Sequence, residues 1–396
     1  MTPIQRRYVE RSGLGAIAEK VLAEERLDRE EGLRLYRHPD LLAVGSLANH
    51  VRERLHGDVA YYIVNQHINH TNVCVAGCKF CAFYRTRKQA DAYVLSLEDV
   101  EKRLLERIDE PIREIHMVGG INPDLPFSYY TDVIRLMKRV RPDVHVKAFT
   151  MVEIAAMAEN FDMPAEEVLR RLREAGLGSL PGGGAEIFTD HAHEVLFRGK
   201  IDHKAWIEIA LTAHRLGLKS NATMLYGHLE SLEERIEHML LLREAQDRSG
   251  GFMAFIPLAF HPENTRLSHL PKPSATEDLR QLAVGRLMLD NFAHVKAYWI
   301  MMTPRVAQQG LHFGADDLDG TVGHEEIFHQ AGASSPQEVA RRQFIALIEQ
   351  AGRIPVERDT LYNPIGPAFD RHPAGGPRPP ARTDPGSTGA FAGPAS

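Results

Sequence analysis

Apolar positions change their period once along this chain. From Leu14 to Leu22, and again from Leu42 to Leu55, they recur at helical spacing, so residues 14 to 56 are expected to be helical. From Val59 onward, short β-rich apolar runs alternate with amphipathic stretches. The expected strands are 59–68, 114–118, 144–149, 177–180, 220–226, 252–260 and 295–301, with helices between them. Three of those helices begin with a capping-box pattern: Ser96 to Asp99, Ser231 to Glu234 and Ser274 to Glu277. Regular alternation of strand and helix implies a parallel sheet. A (β/α) barrel, full or partial, is the first expectation. A doubly wound open sheet is the second, but no Gly-x-Gly-x-x-Gly follows the first strand. One more amphipathic helix is expected over 335–352. The segment 363–396 holds eight prolines and six glycines in 34 residues, so it is expected to be disordered. The chain thus divides into an N-terminal helical extension (1–57), an α/β barrel (58–330), a C-terminal helical segment (331–362) and a Pro/Gly-rich tail (363–396).

Composition narrows the class. With 396 residues the chain can bury a core without covalent staples. A hydrophobic fraction of 43% and a charged fraction of 25% are those of a soluble globular protein. No apolar run approaches the roughly 18 residues of a membrane span, and no apolar stretch follows the N-terminus as in a signal peptide. Free thiols without an export signal lead to the expectation of a cytoplasmic protein. A net charge of -6 without a basic block argues against nucleic acid as a partner.

All three cysteines stand within eight residues, Cys74-Val75-Ala76-Gly77-Cys78-Lys79-Phe80-Cys81. Core cysteines scatter, so this confinement points to three thiolates on one metal centre. A cuboidal 4Fe–4S cluster normally takes four Cys ligands. Three leave one iron with a free position, and open metal positions are where chemistry is done. A structural zinc is the alternative. It needs a fourth ligand, for which His67 or His70 stands upstream, but zinc cysteines usually come as two separated Cys-x2-Cys pairs. A disulfide framework does not suit a long chain with an odd cysteine count.

In parallel β/α folds the active site lies at the carboxyl ends of the strands. The cysteine loop follows the first strand and falls there. The second strand ends in Gly119-Gly120, where a backbone can approach a ligand closely. The fourth ends in Gly182-Gly183-Gly184-Ala185-Glu186, and Glu186 is positioned to accept hydrogen bonds. The fifth ends at Gly227-His228, the sixth at His261, and the seventh carries Lys296-Ala297-Tyr298. An anionic substrate at the mouth needs donors, so His228, His261, Lys296 and Tyr298 are the candidate catalytic and substrate-contacting residues.

The spacing Cys-x3-Cys-x2-Cys resembles the cluster loop of the radical S-adenosylmethionine (SAM) enzymes. The segments Ser179–Phe188, Ser220–His228, Phe255–Thr265, Lys296–Trp299 and Phe313–Thr321 are similar to the aminofutalosine synthase family within that group. The resemblance runs from about residue 30 to Tyr362. It implies a radical SAM barrel and a 4Fe–4S cluster on Cys74, Cys78 and Cys81. It also implies SAM bound through Gly119, Gly120, Glu186, Gly227 and Phe80, although Ile121 stands where relatives carry a glutamate after the glycines. It further implies a futalosine-route enzyme of menaquinone biosynthesis. The 5'-deoxyadenosyl radical from SAM adds to 3-[(1-carboxyvinyl)oxy]benzoate, and rearrangement and decarboxylation give aminodeoxyfutalosine, methionine and bicarbonate. An external one-electron reductant of flavodoxin or ferredoxin type is implied as partner. The alternatives are a dehypoxanthine futalosine cyclase or, in a different class, a non-catalytic iron–sulfur or zinc-binding protein.

Overall fold

The computed structural model describes residues 1–366. Most of the segment expected to be disordered therefore lies outside the described residues. Its first residues do not behave as expected: Pro364 bridges to Arg358, and the Ile365 N–H donates to the Glu357 carbonyl.

The N-terminal extension folds as the helices Pro3–Val9, Gly15–Leu22, Arg29–Arg37 and Leu41–His56. Asp28 and Asp40 start the last two by accepting backbone N–H groups in the first turn. The apolar face of Leu41–His56, with Ala43, Val44, Leu47 and Val51 buried, packs on the helix Ala275–Met288 of the barrel.

Ten strands follow: β1 (Val59–Ile63), β2 (Asn65–Ile68), β3 (Glu114–Met117), β4 (His145–Ala148), β5 (Ser179–Leu180), β6 (Lys219–Tyr226), β7 (Phe252–Ala259), β8 (His294–Val295), β9 (Asp317–Gly320) and β10 (Ile354–Glu357). Strands β2 to β8 form one parallel sheet in sequence order, and β1 pairs in parallel with β9 and β10. The sheet is a partial barrel whose open side is spanned by β9. There Ala297 N–H donates to Asp317 O at 2.9 Å, and His67 N–H donates to Val322 O at 3.0 Å. Every residue of β1 and β2 is buried, the run pattern of parallel strands covered on both faces.

Five expectations are corrected. The single strand 59–68 is broken at Val64, because the side chains of Asn65 and Thr321 replace the ladder there: Asn65 Oδ1 accepts from Val322 N, and Thr321 Oγ1 donates to Asn65 O. The strand 295–301 is only His294–Val295, and Trp299–Met302 is a helical turn anchored by the indole N–H donating to Gly320 O. A short apolar run buried on all sides carries no period that tells strand from helix. The helix 335–352 is Arg341–Gln350, and the segment 331–362 is not purely helical, since it supplies β10. Ser96 and Ser231 form true capping boxes. Ser274 caps its helix, but the Glu277 carboxylate pairs with Arg235 instead of returning to the cap.

Candidate functional site

A cavity of about 260 Å³ opens at the carboxyl ends of the strands. The cysteine loop forms one wall. Cys74 N–H donates to Arg85 O, Val75 N–H to Ile121 O, and the Arg85 guanidinium gathers the carbonyls of Ala82, Phe83 and Tyr84 at 2.8–3.2 Å. All three cysteines line the cavity, and they are unpaired. Burial pushes the Cys78 thiol up to about 12, and it raises Cys81 as well. Both stay protonated until a metal's charge displaces the proton.

The thiols suit a cluster better than a single ion. Four ligands at about 2.3 Å around a tetrahedral zinc stand about 3.8 Å apart. Among the described residues, the one group of three or more such ligand atoms within 4.8 Å of each other is His56, His294 and Asp316, near the amino ends of β8 and β9. The cysteine sulfurs are therefore spread wider than a zinc site, as ligands to three irons of a cuboid must be. His70 is buried with neither ring nitrogen paired and does not line the cavity. His67 lines it, but on the strand rather than in the cysteine loop.

Gly119 and Gly120 line the same wall. A Cβ on Gly120 would stand 2.2 Å from Val73 O, so the glycine is required by the cysteine loop itself. Gly119 N–H donates to Oε1 of Glu153 at 3.1 Å. Glu153 is buried, and burial raises its carboxyl to about 7 although Thr150 and Gly119 donate to it. Glu153 is not among the residues expected from the sequence, yet Thr150-Met151-Val152-Glu153 is a capping box just after β4, a pattern legible in the sequence.

Glu186 lines the cavity in a left-handed conformation (φ 48°) and accepts from Lys200 Nζ at 2.5 Å. Lys200 lies over Phe80, 5.2 Å from the ring centroid, and over Phe197. Burial opposes its charge, but Cys78, once its thiol is ionised, and the Glu186 carboxylate outweigh burial and hold its pKa above the ordinary lysine value. Nothing in the local sequence marks Lys200; the pair joins residues fourteen apart.

Of the four candidate substrate contacts, three line the cavity. His261 Nε2–H donates to Met301 O (3.0 Å), and its Nδ1 is buried without a partner. A carbonyl only accepts, so Nε2 carries the proton and Nδ1 is the free acceptor. Tyr298 is buried edge-on to Phe328. Lys296 is buried and held by Asp319 at 2.6 Å, so it is not the free cation expected. His228 does not line the cavity. Its ring is clamped by Glu230 and the Leu225 carbonyl. Gly227 does not line it either: φ is 89°, and a Cβ would lie 2.1 Å from Pro273 Cγ, so packing requires the glycine. On β7 and just past its end, the alternation sends Ile256, Leu258 and Phe260 into the cavity, while Phe255 points outward against Gly285.

Two family models match the chain, the radical SAM superfamily over residues 68–242 and the CofH/MqnC C-terminal region over residues 249–367. An aminodeoxyfutalosine synthase of Thermus thermophilus is 47% identical, with 88% of this chain and 95% of the relative covered. A cyclic dehypoxanthine futalosine synthase of Halalkalibacterium halodurans is 36% identical over 91% and 97%. The solved structure of methylornithine synthase shares the fold, with a TM-score of 0.68 at 17% identity over 85% of this chain and 96% of that one. No helix among the described residues is long and apolar enough to cross a membrane. The chain belongs to the aminodeoxyfutalosine synthase family of the radical SAM superfamily.

Proposed function

We propose that this protein is a radical SAM aminodeoxyfutalosine synthase. In this reading it couples the adenosyl moiety of SAM to 3-[(1-carboxyvinyl)oxy]benzoate. The observation that carries the reading is one cavity in which the three-cysteine loop faces an apolar wall of Ile256, Leu258, Phe260 and Phe328. Cys74, Cys78 and Cys81 would hold a 4Fe–4S cluster. When bound, the cluster supplies the electron that cleaves SAM.

The protein's own residues bind, orient and keep the site dry. Gly119 and Gly120 bring backbone against the cysteine loop. Glu153 and the Lys200–Glu186 pair place polar groups beside it, and Phe80 covers Lys200. Coupling outruns hydrogen abstraction only if the alkene is held in near-attack contact and stray donors are kept away. Locked aromatic and aliphatic side chains on β7 suit that demand. The electron donor is proposed to be a flavodoxin or ferredoxin type protein.

The test is anaerobic incubation with SAM, dithionite and the enol ether, followed by mass analysis. Aminodeoxyfutalosine is the expected product. Free 5'-deoxyadenosine with an oxidised substrate would instead favour the cyclase activity named for the Halalkalibacterium relative.

A further inference from the structure

The floor of the cavity carries two lysines, and neither is free to meet an anion. Lys147 is held by Glu114 at 2.7 Å and Lys296 by Asp319 at 2.6 Å, all four side chains buried. What remains is a pair of imidazoles. His67 on β2 and His116 on β3 are register partners, and Lys147 on β4 is the next partner in the same row. The two rings stack with centroids 4.4 Å apart and planes 19° apart. All three side chains line the cavity, and Nε2 of His67 is buried without a hydrogen-bond partner. A buried unpaired ring nitrogen is unfavourable and calls for an explanation. A ligand atom that completes it is one.

We propose that the stacked pair His67–His116 seats the carboxylate of an aryl carboxylate, and that the pair takes up one proton from solvent as the anion enters. The inference rests on the substrate reading above, since it names the carboxylate on the benzoate ring as the occupant. No bond of the ligand breaks: the anion arrives ionised, and a proton given up by solvent or buffer forms an N–H bond on one ring, which stays as an imidazolium.

The groups facing the pair are Asp319 on β9, Glu325 beyond it, Glu114 on β3, and Lys147 on β4, with Lys296 behind Asp319. The lysines and their two carboxylates balance, so the floor has no spare positive charge for an incoming anion. Burial holds both imidazoles below the ordinary histidine value, and the two rings disfavour each other's charge. The free pair is therefore neutral at neutral pH. A carboxylate against the rings reverses the balance and raises their pKa.

Binding then weakens about tenfold per pH unit between the free-state and bound-state pKa, and it is flat below the free-state value.

The experiment is calorimetric titration of the reconstituted holoenzyme with 3-methoxybenzoate. It is run in phosphate and in Tris at one pH, with 3-methoxybenzamide as the neutral control. Buffer-dependent heat equivalent to nearly one proton taken up is expected for the benzoate and none for the amide. In His67→Gln and His116→Gln, checked by iron content and SAM binding, the uptake should fall away and the affinity should lose its pH dependence. If one variant fails to load iron, the other carries the comparison. The proposal is overturned if the wild type shows no buffer dependence, if it does not bind the benzoate, or if both variants keep the uptake. Product analysis with the enol ether separates the two readings. Coupled product without proton uptake sinks the carboxylate seat alone. Proton uptake with the benzoate but no coupled product sinks the substrate reading and leaves the seat standing.

Discussion

Gly120→Ala is the smallest change that should disable the cluster without touching a cysteine. The Gly120 N–H donates to Thr71 O at 2.8 Å, so the end of β3 already lies against the start of the cysteine loop. A Cβ added there meets Val73 O at 2.2 Å, Val73 C at 2.7 Å and the Cβ of Cys74 at 2.9 Å. Ordinary contact begins at 3.4 Å, so the Val73 carbonyl must retreat by 3.4 minus 2.2, about 1.2 Å. Both flanks of that peptide are tied, Cys74 N–H to Arg85 O and Val75 N–H to Ile121 O. The displacement therefore passes into Cys74, the first cluster ligand. Neither Gly119 nor Gly120 has a positive φ, so alanine suits the backbone and any loss is steric.

Overpacking of this kind costs about 1–3 kcal/mol. A misplacement on the order of 1 Å at a reacting centre costs on the order of 10² in rate. Gly119→Ala is the control. Its added Cβ meets the buried His70 ring at 2.5 Å and backbone only at Thr71 O, 3.0 Å away, so the backbone shift asked for is about 0.4 Å rather than about 1.2 Å. The assay is iron and sulfide per chain after anaerobic reconstitution, followed by the rate of SAM cleavage with dithionite. Gly120→Ala should load substoichiometric iron and cleave SAM on the order of a hundredfold more slowly, with Gly119→Ala less affected because its backbone clash is smaller. Full iron content and wild-type cleavage in Gly120→Ala would refute the steric argument.

Lys296→Met should strand Asp319 as a buried unpaired carboxylate and cost about 3–5 kcal/mol in urea unfolding, with Lys296→Met/Asp319→Leu recovering most of it. A single variant as stable as wild type would show that the pair carries no weight. Glu153 has a folded-state carboxyl raised to about 7 by burial, above its ordinary 4.5. The folded state therefore binds the extra proton between those values, and this group's contribution falls as pH rises from about 4.5 to about 7, then levels. Stability profiles of the wild type and Glu153→Leu should differ in slope in that window; parallel curves would contradict it. His261→Ala removes the unpaired Nδ1 and should raise the ratio of 5'-deoxyadenosine to coupled product, read by chromatography, more than it lowers total SAM cleavage.

What the chain disclosed in advance was local chemistry. Three cysteines in eight residues and paired glycines after a strand need no partner from elsewhere to be noticed, and both proved to line the cavity. Residues that gain meaning only through register were not legible as a group, and His67 entered only as a possible zinc ligand. His67, His116 and Lys147 lie on one level because three strands pair without offset, whereas alternation along a strand reveals only which face a side chain takes. Gly227 misled for a related reason. A glycine at a strand end signals a close approach, but the approaching group is Pro273, from a loop far along the chain, and not a ligand. Strand β9 was missed because Asp317, Asp319 and Gly320 are poor strand formers, and β10 because Pro355 breaks a run of only four residues although Ile354 and Val356 favour strands. Asp317 and Asp319 are buried in β9 because Arg358 and Lys296 answer them.

The pairing of polar groups in the cavity also bears on the substrate. Lys296 answers Asp319, and Lys200 answers Glu186. Lys147 answers Glu114, Glu153 takes backbone and threonine donors, and Glu325 takes the N–H groups of Ile327 and Phe328. Groups so held keep their positions when water leaves, which a site that must stay dry requires. They also have little capacity left for a ligand. Among the cavity's described side chains, two buried polar atoms lack a partner, Nε2 of His67 and Nδ1 of His261. The proposed substrate has two carboxylates, one on its ring and one on its vinyl group. Two neutral imidazoles against two anions make recognition depend on protons drawn from solvent rather than on fixed positive charge. That arrangement leaves the empty cavity without a free cation and lets protons drawn from solvent offset the ligand's charge when it enters.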